Sequence, residues 1–221
     1  DNQSGCKGVC EGVTTKSVSP EVYASLCQDG RCLDEALVQA LSTQLSSTPA
    51  DQVVVLHQLG NHGPSYYQRY PTAYEHFVPA CENADLAKCT REAITNSYDN
   101  AILYTDNVLD QVIDTLEREH DYATAMVYLS DHGESLGEKG LYLHGIPYAI
   151  APNEQTHVPM IWWLSTSFSQ QQRLDTECLH RRANQAASHD NLFHSVLGLL
   201  GVVTDVYQQE ADISQACRFA K

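Results

Sequence analysis

The chain has no apolar run approaching the roughly 20 residues that a membrane-spanning helix requires. Basic residues are few: 13 Lys and Arg stand against 28 Asp and Glu, a formal net charge of -15. Sequence-independent nucleic-acid binding needs clustered cations to displace counterions, so this balance argues against it. A polybasic membrane-surface footprint is excluded on the same ground. No basic leader followed by an apolar stretch is visible, so no signal peptide is expected. The chain opens on "DNQSGCKGVC", a loop-like stretch that reads as cut from something longer. Internal repeats, low-complexity tracts and long linkers are also missing, and at 221 residues, 43% of them hydrophobic, one domain with a sizeable core is expected.

Cysteine is plentiful. The eight cysteines fall as Cys6/Cys10, Cys27/Cys32, Cys81/Cys89 and the distant Cys178 and Cys217. An even, clustered count reads as disulfides, which persist in oxidising compartments. Zinc–thiolate binding is the alternative, but only Cys6/Cys10 and Cys27/Cys32 come near the spacing it uses. Local pairing is the economical arrangement and leaves Cys178 with Cys217, although eight cysteines allow other connectivities. A periplasmic or extracellular location follows.

Apolar periodicity predicts helices over residues 33–45, 86–119 and 190–200, the last with Ser188 or Asp190 as N-cap and Gly201 as stop. Short apolar runs over 52–56, 123–129 and 158–164 are too short for helices and read as buried strands. Alternation of strands and helices predicts a layered α/β domain with a largely parallel sheet. In such sheets ligands gather where strands end. The first strand ends at His57, with His62 close behind in "GNHG"; the second ends on Asp131-His132. Both histidine-bearing loops are therefore expected at one sheet edge.

The stretch "YLSDHGESLGEKGLYLHG" carries the chemistry. A carboxylate beside an imidazole at a strand end, Asp131-His132, suits zinc, and Gly133 lets the backbone turn sharply. The bland alternative is a capping Asp and a surface His. His62 and His144 are each flanked by glycine, which permits close approach to a ligand, so they are candidate second metal ligands or phosphate binders. Glu134 is placed to orient a ligating histidine or to bind metal itself. Lys7, on the short Cys6–Cys10 loop, is a candidate phosphate contact as a point charge. His57 is expected to be a buried structural histidine, and His76, His120, His157, His180, His189 and His194 lack any comparable context. A nucleophile is missing: Ser130 and Ser135 have neither a strained elbow nor a paired base. Two metal ligands are also too few for zinc, so the histidines or sequence outside this chain must complete the set.

The segments "DNQSGCKGVC", "LHQLGNHGPSYYQRYP", "VPACENADLAKC", "SYDNAILYTD", "VYLSDHGESLGEKGLYLHGIPYAIAPNEQTHVPM" and "HDNLFHSVLGLLGV" resemble the lipid A phosphoethanolamine transferases, which include enzymes of polymyxin (colistin) resistance within the alkaline-phosphatase/sulfatase superfamily. "SDHGES" followed by "YLHG" is the most specific part, and the resemblance runs from residue 1 to about residue 201. It implies an α/β/α sandwich of alkaline-phosphatase/sulfatase type, truncated at its N-terminus, from the periplasmic domain of a bacterial inner-membrane enzyme. The implied reaction is zinc-dependent: a threonine takes phosphoethanolamine from phosphatidylethanolamine and passes it to a lipid A phosphate. It further implies that Asp131 and His132 are ligands of the catalytic zinc and that His62 and His144 are substrate-phosphate or second-zinc contacts beside Glu134. Lys7 becomes a substrate-binding lysine. The number of zinc ions, one or two, stays open. The nucleophilic threonine, a glutamate zinc ligand and the membrane domain lie upstream of the matched segment, so this chain alone is expected to be inactive. Two other functions remain open: a sulfatase- or phosphatase-type hydrolase, and a non-catalytic module binding metal or lipid.

Overall fold

The computed structural model describes Asn2 and residues 10–47 and 50–219. Along the chain run strands β1 (Cys27–Gln28) and β2 (Arg31–Cys32), helices α1 (Glu35–Ser47) and α2 (Arg91–Glu117), and strands β3 (Ala125–Leu129), β4 (Ser135–Leu136) and β5 (Tyr142–Leu143). Helix α3 (Asn153–Thr156), strand β6 (Met160–Leu164) and helices α4 (Thr166–Gln171), α5 (Thr176–Arg182) and α6 (Asp190–Leu199) follow. The chain packs as two compact units. One comprises Asp1–Thr115 with His132–His157, and the other Leu116–Asp131 with Val158–Lys221.

In the first unit α1 buries Ala36, Leu37, Val38, Leu41 and Leu45, a stripe at helical spacing that faces the core. Tyr104, in the middle of α2, donates to Glu35 Oε2 at 3.2 Å and so ties the two helices together. A second cluster gathers Tyr66, Cys81, Ala93 and Ile94, with Leu86, Cys89, Tyr98, Leu136 and Leu143 packed on it. The entry to α2 is stapled by Cys81–Cys89, and β1 and β2 are joined by Cys27–Cys32. The expected Cys6–Cys10 pair involves Cys6, which lies outside the described residues. Residues 86–88 form a 3-10 turn rather than the start of the long helix.

Residues 52–56, expected as a buried strand, are in no strand, and Val53 and Val55 are 61% and 80% exposed. An apolar run becomes a strand only where a neighbour completes its hydrogen-bond ladder, and no described strand pairs with it.

In the second unit β3 and β6 pair antiparallel, Ala125 opposite Leu164 through Leu129 opposite Met160. The expected largely parallel sheet is therefore not found: every strand pair among the described residues is antiparallel. Parallel pairing needs a crossover that returns the chain to the starting edge. Here the connection from β3 to β6 carries the 134–144 hairpin instead and brings the chain back in the opposite direction.

Ser165 caps α4 through Phe168 N, and Asp175 caps α5 through Cys178 N. At α6 the N-cap position is His189, without a side-chain cap, while Gly201 ends the segment at φ +65°. Cys178–Cys217 joins α5 to the C-terminal turn, the pairing reached by elimination. Behind α6, the buried Asp212 carboxylate accepts from Tyr207 Oη at 2.8 Å and from Ser214 N and Oγ at 2.8 and 2.7 Å. Burial, then the hydrogen bond and charge of Asp212, push the Tyr207 phenol up to about 12 from its ordinary 10. The folded chain therefore holds this proton more tightly than the unfolded chain. The resulting stabilisation is complete below pH 10 and is lost as the pH rises toward about 12. Melting temperatures measured across that window should fall less steeply for Tyr207→Phe than for the parent chain.

Candidate metal centre

Antiparallel register builds the first half of the site. Strands β4 and β5 pair Ser135 with Leu143 and Leu136 with Tyr142. Continuing that register by one residue sets Glu134 opposite His144, and Glu134 Oε1 lies 3.2 Å from His144 Nδ1. The hairpin turn needs left-handed backbone at Gly137 (φ +105°) and Gly140 (φ +77°). Arg91 braces it from α2, donating to Leu136 O at 3.0 Å and pairing with Glu138 at 3.0 Å.

Gly133, between His132 and Glu134, donates to Gln155 O at 3.0 Å. The Gln155 side chain, 5% exposed, in turn donates to Ser135 Oγ at 2.9 Å. The backbone just after His132 is thus tied to Gln155.

The other half is a loop anchored at Asp34, the residue before α1. The buried Asp34 carboxylate accepts from Leu59 N at 3.0 Å and Gly60 N at 2.7 Å, which sets the turn leading to His62. Arg69 Nε donates to His62 O at 2.8 Å, and Gly63 N donates to Glu134 Oε1 at 3.0 Å. Burial lowers the Arg69 guanidinium from its ordinary value. Tyr66 Oη reaches Glu134 Oε2 at 3.3 Å, and burial followed by the Glu134 charge holds that phenol far above the ordinary tyrosine range.

These two halves bring His62, His132 and His144 together. One ring nitrogen of each lies within 4.8 Å of the others, and all three residues are half-buried. The His132 and His144 rings stack at 3.9 Å between centroids, while His62 stands edge-on at 4.8 Å from His144. The Nδ1 atoms face acceptor oxygens: His62 to Gly63 O at 2.7 Å, His132 to Gly133 O at 3.1 Å and His144 to Glu134 Oε1 at 3.2 Å. A carbonyl or carboxylate oxygen only accepts, so in this arrangement Nδ1 carries the ring proton and Nε2 keeps the lone pair for a ligand. Such outer hydrogen bonds accompany metal-ligating histidines. Three imidazole donors, with a coordination position left for a further ligand, match the type and number of groups that zinc takes.

The expected residues are thus distributed unevenly. His62, His132, His144 and Glu134 come together in the first unit, whereas Asp131 is exposed, belongs to the second unit and is not one of the three clustered groups. Lys7 lies outside the described residues. His57 is half-buried and its carbonyl accepts from Asn2 N, but it ends no strand. Sequence reading missed Asp34, Tyr66 and Arg69. For Tyr66 and Arg69 the available signal was "SYYQRYP", whose tyrosines bring apolar area that favours burial.

Residues 1–202 match the sulfatase family, and the chain belongs to that family. Its α/β fold is the one seen in the soluble domain of lipooligosaccharide phosphoethanolamine transferase A from Neisseria meningitidis, with a TM-score of 0.95 at 44% identity over 100% of this chain and 66% of that one. In sequence it is 46% identical over 220 residues to phosphoethanolamine transferase EptA of Salmonella typhimurium, covering 99% of this chain and 40% of that protein. It is 39% identical over 188 residues to phosphatidylethanolamine transferase Mcr-2 of Escherichia coli, covering 81% of this chain and 35% of that protein. The chain thus spans well under half the length of the EptA and Mcr-2 proteins. No helix among the described residues is long and apolar enough to cross a membrane.

Proposed function

We propose that this chain is the C-terminal part of the periplasmic catalytic domain of a zinc-dependent phosphoethanolamine transferase. The parent enzyme would move phosphoethanolamine from phosphatidylethanolamine to a lipid A phosphate, with polymyxin resistance as the consequence. The observation that carries the reading is the three-histidine cluster with its Nδ1 atoms on acceptor oxygens, in a sulfatase-family domain whose relatives bear phosphoethanolamine- and phosphatidylethanolamine-transferase names. The three disulfides among the described residues accord with the oxidising periplasm.

In this reading His132 and Asp131 ligate zinc, and His62 and His144 face the phosphoryl group or a second ion. Bound zinc supplies Lewis-acid charge next to the phosphoryl oxygens and the attacking threonine, which belongs to the upstream part of the parent enzyme. When Nε2 takes up a second proton, His62 and His144 balance negative charge growing on the transferring group, and one of the pair passes that proton to the leaving diacylglycerol oxygen. Glu134 holds His144 in register, and Lys7 adds a point charge for phosphate.

Two experiments test this. In a zinc titration, Asp131→Ala and His132→Ala should each weaken binding by at least about tenfold, the loss expected when a ligand is removed. Equal affinity for parent and variants would remove the ligand assignment. For the reaction, the corresponding region of EptA is replaced by this chain and lipid A is analysed by mass spectrometry. Phosphoethanolamine-modified lipid A is the expected product. Release of free phosphoethanolamine with unmodified lipid would instead make the enzyme a hydrolase.

A further inference from the structure

Tyr66 is 1% exposed, and among the described residues its hydroxyl has one hydrogen-bond partner. Its ring packs edge-on against Tyr98 at 5.4 Å and lies flush on Gly63, where an added Cβ would sit 2.7 Å from the phenol oxygen. Phenylalanine would meet these packing needs equally well. The hydroxyl reaches Glu134 Oε2 at 3.3 Å, while Oε1 of the same carboxylate takes Gly63 N at 3.0 Å and faces His144 Nδ1 at 3.2 Å. Glu134 is itself 7% exposed, so water does little to hold it. Two donors on one oxygen and a third on the other hold the carboxylate plane against rotation. That plane decides whether His144 Nδ1 meets an acceptor head-on, and hence which ring nitrogen carries the proton.

We propose that Tyr66 is a positioning residue of the histidine cluster, acting through Glu134 to keep the His144 proton on Nδ1 and Nε2 available to the ligand. The proposal rests on the reading of this cluster as a zinc and phosphate site. The same 3-10 turn (Tyr66–Gln68) is followed directly by Arg69, whose Nε holds the His62 carbonyl at 2.8 Å, so one short element supports two of the three histidines.

The test compares Tyr66→Phe, Glu134→Gln and the double variant with the parent chain. In metal-free protein, imidazole nitrogen NMR should show His144 in the Nδ1–H form for the parent and a mixture of both forms for Tyr66→Phe. Zinc affinity, measured against a chromophoric chelator, should fall about tenfold in Tyr66→Phe, within the range for outer hydrogen-bond partners of ligating histidines. A positioning role requires the double variant to bind no more weakly than Glu134→Gln alone, because both changes break one chain of contacts. A core role alone would leave the His144 form unchanged or make the two losses add; either result overturns the proposal. If the parent chain binds no zinc, the metal reading fails, and the NMR comparison still decides the contact chain on its own.

Discussion

Gly133→Ala should unfold the first unit's hairpin region and abolish zinc binding together. An alanine Cβ at this position would overlap the carbonyl oxygen of Glu154 and stand 3.1 Å from its carbon and 3.4 Å from Gln155 Cα. All three obstacles are backbone atoms, so no rotamer change relieves them. Gly133 N also bonds Gln155 O at 3.0 Å, so the two segments cannot separate without losing that bond. Overpacking of this kind costs about 3 kcal/mol, at the upper end of what inserted carbon atoms do in well-packed interiors. The segment that must yield carries His132 on one side and Glu134 on the other, so the cluster is displaced even in molecules that stay folded. Urea unfolding followed by zinc titration of the surviving folded protein checks both parts. A variant of normal stability and normal zinc affinity would show that the approach of residues 133 and 154 is not tight in solution.

Asn100→Ala should lose about 3 kcal/mol of stability, from orphaned hydrogen-bonding groups plus a cavity. Asn100 sits in the middle of α2 with no exposed surface. Its Oδ1 accepts from His76 N at 2.9 Å and Phe77 N at 2.8 Å, and its Nδ2 donates to Phe77 O at 3.0 Å. This one side chain satisfies three backbone groups of an irregular segment that has no ladder of its own. Alanine leaves them without that partner. Zinc affinity at the histidine cluster should stay near the parent value in the folded fraction, because Asn100 bonds none of the three histidines. Thermal unfolding and zinc titration run side by side separate this outcome from a general collapse of the unit.

The helices were legible because their signal is local. In α1 and α6 the apolar residues recur at helical spacing, and the observed ends, Glu35–Ser47 and Asp190–Leu199, fall within two residues of the expected ones. The valine run at 52–56 was misread because an apolar stretch predicts burial, whereas a strand also needs a partner that its own residues do not specify. Strand direction was misread for a related reason. Nothing within residues 125–129 or 160–164 states whether the two pair parallel or antiparallel, since the connection between them decides it.

The site shows the same division at finer scale. His62, His132, His144 and Glu134 stood out as metal- and phosphate-type groups beside glycines, and the register of β4 and β5 turns "GES" and "LHG" into the Glu134–His144 contact. The route by which His62 arrives was not foreseen. It comes on a turn tied to Asp34, 28 residues before it and just ahead of α1, with no sequence cue to the pairing.

By itself the sequence determined the long helical segments, the pairs Cys27–Cys32 and Cys81–Cys89 that close short loops, and the candidate side chains His62, His132, His144 and Glu134, because each depends on residues near one another along the chain. Only the tertiary structure decided that the paired strands run antiparallel and that three histidines share one place with their Nδ1 atoms on oxygen. It alone brought in Tyr66 and Arg69 as the supports beneath them. Those features depend on which distant backbone groups find each other, and burial makes that choice for the whole chain at once.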